Sequence, residues 1–498
     1  MSFDLTIFDD SALSDEFLTY LLDQEALDAH IHFSRLWDYY RNSLLPGAGV
    51  AADALNLHSR PYFQAQEVGL PARITGVMRL GAGGEELAGV QRKEVVIEND
   101  IAWRVHTMVD SLFGQSISIA SLADDPAKAK VIEAVLGALF AANGGDLFFQ
   151  EMATLGSIYG SVDVVLRLPQ PFSISQADAA RAAELAGRIS LELVEASRVM
   201  PILEEDDFRR IRYWVQSYRK QAAGLDSGDL VTSAGWAGPR DLQPRTVEVV
   251  EILSAGHFQR YEDRQLVAEG TTPLNLLPVV HVQNLPLPGS YEGLSDVEPL
   301  VPLQDELNTR LSDRASRVTF QSFKMYLAKG IEDFIERPIG PGQMWATHNP
   351  DACIQEFGTD PGSPSEELHI QQVRQAMDKV SGVTPLAAGL ISGNIGNLTS
   401  ATALRVLLSG LLSRTQRKRL TYGQGIREII SKTLALLDAW GVLPTSSQDR
   451  RVEIHWPSPL PEDQTQQLAN AQAKAALGVP IQRILAELGY DNDGAARR

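Results

Sequence analysis

Between residues 294 and 440 apolar residues recur at three- and four-residue spacing in three separate runs, which commits this part of the chain to long helices. The first run carries Leu300, Leu303, Leu307, Leu311, Ala315 and Val318, with Ser295 or Asp296 placed to cap its N-terminus. A helix over 296–326 would be about 45 Å long, with Pro302 delaying its regular part by a residue or two. The second run, 365–381, sets Leu368, Val373, Ala376, Met377 and Val380 on one side. The third, about 400–440, carries Leu404, Leu407, Leu408, Leu411, Ile426, Ile429, Ile430, Leu434, Leu437 and Trp440. A turn-rich insert separates the first two runs, and a polar, glycine-bearing loop, SGVTPLAAGLISGNIGNLTS, separates the second from the third. A strand, RVEIHW, and helical stretches near 463–476 and 480–488 close the chain.

The preceding residues read as a mixed α+β domain over roughly 1–290. Glu16–Tyr40 has helical spacing and ends at RNSLLPG; 61–92 is irregular and holds the loop GAGGEE. A helix is expected from about Lys93 to Phe113, with Val96, Ile97, Ile101, Val105 and Val109 inward and Gly114 as its stop. ISIA reads as a short strand, 127–160 as helical, and SVDVVLRL (161–168) as an alternating strand. From 185 to 285, ISLELVEASRVMPIL, RIRYWVQSYRK, RTVEVVEIL, HFQRYED and LPVVHVQNL suggest an antiparallel sheet with one covered face.

Composition narrows the function. The net charge of −19 argues against a protein that grips nucleic acid by general attraction, but suits one that lets DNA pass without holding it. The single cysteine, Cys353, excludes an intrachain disulfide and a cysteine-based zinc site within one chain, and suits a reducing cytoplasm. The N-terminus has no basic region leading into an apolar one, so it does not read as a signal peptide, and no run of about 18 apolar residues suggests a membrane span. There is no G-x-x-x-x-G-K-[ST] loop and no G-x-S-x-G elbow, and Glu86 breaks any G-x-G-x-x-G reading of Gly81, Gly83 and Gly84. His30 and His32 could share a metal on a strand, but here they fall in a helical stretch, where i and i+2 point apart. The basic cluster Arg414, Arg417, Lys418 and Arg419 reads as a solvated helix face or as salt bridges to a neighbouring subunit, ahead of a DNA contact. Cys353, with His348 nearby, reads as a structural thiol. The pairs Glu204–Glu205 and Asp206–Asp207 read as an exposed turn.

NLPLPGSYEGLSDVEPLVPLQDELNTRLSDRASR resembles the portal proteins of tailed double-stranded-DNA bacteriophages, in which a glycine and a Ser-Asp pair open a long helix. Gly293, Ser295, Asp296, Leu303, Asp305, Asn308, Ser312 and Asp313 carry the match. Upstream, ENDIAWRVHTMVDSLFGQSISI is similar to the family's helix opened by an asparagine, with Asn99, Val109, Asp110, Phe113 and Gly114 in place. FQEMATLGSIYGSVDVVLRL resembles the segment that follows. The resemblance covers most of 90–490 and rests on several weak matches in the right order; the first 90 residues match poorly.

The resemblance implies a wing (1–293), a first stem helix (294–326), a clip (327–364), a second stem helix (365–382), a tunnel loop (383–400), a long helix and strand returning to the wing (401–456) and a helical crown (457–498). It implies stem packing through Leu303, Leu307, Leu311, Val373 and Met377, partner docking through Phe334, Ile335 and Trp345, and Leu390, Ile391, Asn394, Ile395 and Asn397 facing DNA. The implied function is a non-enzymatic ring of about twelve copies at one capsid vertex. Such a ring passes DNA during packaging and ejection and docks the terminase large subunit, then head–tail adaptor proteins, beside major capsid and scaffolding proteins. It needs no cofactor or metal, and it resides in the virion after synthesis in the host cytoplasm. Twelve copies at −19 each carry −228 before counterions. The alternatives are another virion structural or adaptor protein, or a metal-dependent hydrolase using His30 and His32.

Leu307→Asp or Leu311→Asp puts an unpaired charge on the apolar seam of the first long helix, which is costly. Native mass spectrometry is expected to show weakened or failed ring assembly for both; normal assembly of both contradicts this placement of the seam.

Overall fold

The computed structural model describes residues 3–8, 13–46, 62–75, 94–167, 179–221, 246–272, 276–322, 325–329, 351, 353–357, 364–388, 405–459, 464–479, 481 and 484. α1 (Asp15–Tyr20), capped by the Ser14 hydroxyl, runs through a π turn at Leu21–Glu25 into α2 (Ala26–Arg41). The run stops where Asn42 turns left-handed (φ 46). β1 (Leu44–Pro46) pairs with β2 (Tyr62–Gln64), and a 3-10 turn (Ala65–Gly69) and α3 (Ala72–Thr75) follow, in a region expected to be irregular.

α4 (Asp100–Phe113) begins at its Asn99 cap, not near Lys93. Residues 94–99 are non-helical because side chains of a distant helix take up their amides, and Val96 is exposed rather than inward. β3 (Ser118–Ser121) matches the short strand expected at ISIA. The stretch 127–160 is two helices, α5 (Pro126–Ala142) and α6 (Asp146–Tyr159), broken where Gly144 and Gly145 take positive φ (99 and 60).

β4 (Ser161–Arg167), α7 (Ala179–Ala186), β5 (Ser190–Glu195), β6 (Val199–Leu203), β7 (Ile211–Gln221), β8 (Thr246–Leu253), β9 (His257–Glu262), β10 (Gln265–Thr271) and β11 (Val279–Gln283) come next. They form two antiparallel sheets, β10-β9-β8-β7-β6 and β11-β4-β5, where one sheet with one covered face was expected. On the five-stranded sheet Tyr213, Val215, Val250, Ile252 and Tyr261 pack on Phe3, Leu13 and Leu18. Its other face, through Trp214 and Leu253, packs on Val165, Val194 and Val279 of the three-stranded sheet. The far face of that smaller sheet, with Val162, Val164, Val280 and Val282, joins the main helical core. β4 is therefore buried along nearly its whole length, and alternation along it separates two cores rather than core from solvent. β10 escaped the sequence reading, as did α7. The β9–β10 hairpin turns at Asp263 and Arg264, both at positive φ (46 and 62).

A 3-10 turn at Glu298–Leu300 leads into α8 (Val301–Ser322), which at 22 residues spans about 33 Å, shorter than expected. The helix gives way because β12 (Met325–Lys329) pairs antiparallel with β13 (Cys353–Phe357). α9 (Pro364–Ser381) then packs on α8, tied by Arg314–Glu367 (2.8 Å) and His369–Glu306 (2.9 Å). Leu300, Leu307, Leu311, Ile370, Val373 and Met377 are buried and Leu303 is partly buried; Val318, Leu368 and Val380, expected inward, are exposed. After a 3-10 turn (Pro385–Ala388) the chain is helical again at 405–407, close to the start expected near 400, and after a break at Leu408 comes α10 (Ser409–Ala439); Leu407 is exposed. β14 (Val452–His455) pairs with β3, and α11 (Gln464–Ala476) follows. The architecture is α+β, as the sequence reading has it. Leu404, most of the clip interval and most of 480–488 lie outside the described residues.

Gly160 joins α6 to β4 at φ +93, with its missing side chain directed at the Gly293 carbonyl. Gly160→Ala is expected to cost about 1–3 kcal/mol through backbone strain and this collision, read as a lowered Tm; an unchanged Tm contradicts the crossing described.

Candidate functional site

The residues that open α8 converge with α6, β11 and α10 on one buried polar cluster. The Ser295 hydroxyl donates to the Ile158 carbonyl (2.6 Å) and accepts from the amides of Val297 (3.0 Å) and Glu298 (3.2 Å), so Ser295 caps the turn leading into α8. The next residue, Asp296, points inward. Its amide donates to the Ser157 carbonyl (2.8 Å). Its carboxylate accepts from Asn284 Nδ2 (3.1 Å), pairs with Arg414 (3.0 Å) and pairs more closely with the Lys418 ammonium. Lys418 is 1% exposed and also donates to Ser157 Oγ (2.9 Å). Asn284, fully buried, donates to the Leu294 carbonyl (3.0 Å) and accepts from Tyr422 (3.1 Å), whose hydroxyl sits where a side chain on Gly156 would be.

Burial raises the pKa of Asp296, but the charges of Lys418 and Arg414 outweigh it and hold the carboxyl below its ordinary value. Burial raises the Tyr422 hydroxyl well above its usual range, so it remains a neutral donor. The cluster therefore locks an ionised acid between two cations and joins four elements.

A second polar array lies one turn along α8. Gln304 accepts from the Asp100 amide (3.2 Å) and donates to the Glu98 carbonyl (2.6 Å). Asn308 accepts from the Glu98 amide (3.2 Å), and the Ser312 hydroxyl accepts from the Val96 amide (3.0 Å). Spaced four residues apart, these side chains satisfy the backbone of 96–100 as a neighbouring strand would. Asn308 also donates to Gln66 (2.9 Å), which reaches Asn99 (3.0 Å). The Asp305 carboxylate accepts from the buried Tyr39 hydroxyl; burial raises the pKa of both groups. Asp313 pairs with Arg310 (3.7 Å) on the same helix.

The basic cluster departs from its expected role. Arg414 and Lys418 are spent on Asp296 within the chain, and Arg419 donates to the Pro457 carbonyl (2.6 Å) and lies over Trp456 (5.3 Å). Only Arg417 of the four is exposed. The face that holds Leu411, Thr415, Tyr422 and Ile426 also holds Lys418, so helical spacing carried the signal and the charge obscured it. Gln304 was missed in the same way, as the first member of a Gln304–Asn308–Ser312 stripe.

His30 and His32 lie on α2, with His30 beside Ser34 (3.4 Å) and His32 beside Glu298 (4.0 Å). Among the described residues no three His, Cys, Asp or Glu side chains are grouped to hold a metal. His281 Nδ1 bonds Asp163 (2.6 Å) and its Nε2 bonds the Tyr291 carbonyl (2.9 Å), which leaves neither ring nitrogen for a substrate. Phe334, Ile335 and Trp345, and likewise Leu390, Ile391, Asn394, Ile395 and Asn397, lie outside the described residues; no side-chain environment is described for Cys353.

Residues 177–493 match the model of the family described as "Phage portal protein, SPP1 Gp6-like". The chain belongs to the phage portal protein family. It is accordingly a structural component of a phage-type virion, in a family that is non-enzymatic. The match includes Asn284, Asp296, Arg414 and Lys418, so most of the buried cluster of this portal chain lies inside it. The comparison with curated proteins returns no match. Among solved structures, one similar chain is from the "Virion of native gene transfer agent (GTA) particle" (TM-score 0.40, 11% identity, 78% of this chain and 90% of that one). Another is from the "Neck of empty GTA particle computed with C6 symmetry" (TM-score 0.42, 12% identity, the same coverage).

Lys418→Met leaves the buried Asp296 carboxylate with Arg414 as its one cation and is expected to cost about 3 kcal/mol in chemical denaturation, while Asp296→Asn combined with Lys418→Met recovers part of it. Equal losses in the single and double variants contradict the pairing. Because the folded-state pKa of Asp296 lies below the unfolded 3.8, its contribution is complete above that pH and lost as pH falls through the folded value. Urea midpoints that do not fall below pH 4 contradict this.

Proposed function

We propose that this chain is the ring subunit of a DNA-conducting portal, about twelve copies surrounding a channel at one capsid vertex. The observation that carries this reading is the unit from α8 to α9: two packed helices with the paired strands β12 and β13 between them in sequence, and α8 rooted at its start in the Asp296 cluster. A rooted helix pair with a small insert at its tip supplies one wall segment of a tube, and repetition about an axis closes it. Here α8 and α9 are the stem, 327–364 the clip, 383–400 the tunnel loop, residues 1–293 with 401–456 the wing, and 457–498 the crown. Leu303, Leu307, Leu311, Val373 and Met377 pack the stem.

The net charge of −19 suits a wall that DNA slides past. Leu390, Ile391, Asn394, Ile395 and Asn397 touch the moving duplex without a deep electrostatic trap. Phe334, Ile335 and Trp345 of the clip meet the terminase large subunit during packaging and head–tail adaptors afterwards, and the capsid and scaffolding proteins surround the wing.

Deleting residues 391–397 is expected to leave folding and ring assembly intact while lowering the yield of DNA-filled particles in a packaging assay. A normal yield removes the loop's role in this reading.

A further inference from the structure

Two arginines from different elements meet at the C-terminal end of α9. Arg104, on α4, is 3% exposed and donates to Ser381 Oγ (3.0 Å) and the Val383 carbonyl (2.6 Å). Its charge is balanced by Asp378 (2.7 Å) and Asp100 (3.3 Å). Arg414, on α10, donates to the carbonyls of Val380 (2.8 Å) and Ser381 (2.9 Å) while paired with Asp296. Between the two guanidinium groups the chain leaves α9 at Gly382, whose φ of +71 favours glycine.

The chain comes back to the same point. A side chain on Gly410 would meet the Gly382 carbonyl oxygen at 3.3 Å, and one on Gly382 would meet Gly410 backbone at 3.4 Å. Beside this crossing, Val383 and Leu411 are buried with Met108 in one small apolar cluster. The backbone at 382–383 and at 410–411 is therefore held together, which gives the excursion of chain between them one closed root.

We propose that Arg104 and Arg414 are positioning residues that fix the root of this excursion relative to the start of α8. Their guanidinium forks tie carbonyls that the end of α9 would leave without helical partners, a task a lysine cannot duplicate at several acceptors at once. Through Asp296, Arg414 makes the root and the N-terminal end of α8 one rigid joint. This rests on the tunnel-loop reading for its consequence in DNA passage, but not for the joint itself.

Two variants test it in the assembled full-length protein. Arg414→Lys keeps a cation beside Asp296 but loses the fork; Gly410→Val keeps every charge and wedges the crossing apart. For both, ring mass by native mass spectrometry is expected to be unchanged, while amide hydrogen exchange at 382–388 rises on the order of tenfold and DNA-filled particles fall. Restoring the arginine or the glycine restores both readouts. Faster exchange with normal packaging supports the joint and counts against the tunnel-loop reading alone. Unchanged exchange in both variants overturns the proposal, whatever packaging does. If Arg414→Lys loses the ring, exchange in Gly410→Val decides.

Discussion

A carboxylate taken out of water needs compensation, and Asp296 obtains it from places distant in sequence. Lys418 and Arg414 come from α10, Asn284 follows β11, and Ser157 holds both the Asp296 amide and the Lys418 ammonium. The gain of such a cluster over an apolar one is small, but the cost of removing one partner is large. A misplaced α10 would leave a buried charge unpaired, so the cluster sets the register of α10 against the turn that opens α8. Gly156 and Gly160 allow the close approach that this requires, one making room for Tyr422 and the other for Gly293.

From that fixed point the remaining contacts run outward along α8. Gln304, Asn308 and Ser312 bind the backbone of 96–100 and so carry α4 with them. The apolar side of α8, with Leu307 and Leu311, joins the same core as Val373 and Met377 of α9. The three-stranded sheet lies between this core and the five-stranded sheet, and Arg167 links the two sheets by bridging Glu192 (2.6 Å) and Glu251 (2.5 Å). The helices α4, α8, α9 and α10 and the two sheets are in this way referred to a single buried joint.

Helical periodicity revealed α8, α9 and α10 because each buries one apolar stripe, and it revealed most strands because β-branched runs alternate there. It failed where burial was two-sided or polar. β4 reads as alternating, yet both its faces are covered. The segment before Asn99 looks helical because Val96 and Ile97 precede a true helix, and only the partner side chains on α8 show why it is not. Lys418 lies on the buried face of α10 by spacing, but a lysine beside three arginines reads as solvent-facing when its partner is 122 residues away. Ser295, Asp296, Asn308 and Ser312 stood out through family resemblance; what each binds needed the fold.

The oligomeric mass of the purified full-length chain tests the central claim most directly. Native mass spectrometry over several salt concentrations is expected to give a closed ring of about twelve subunits. A chain that stays monomeric or dimeric at every salt concentration, with or without scaffolding protein, contradicts the account.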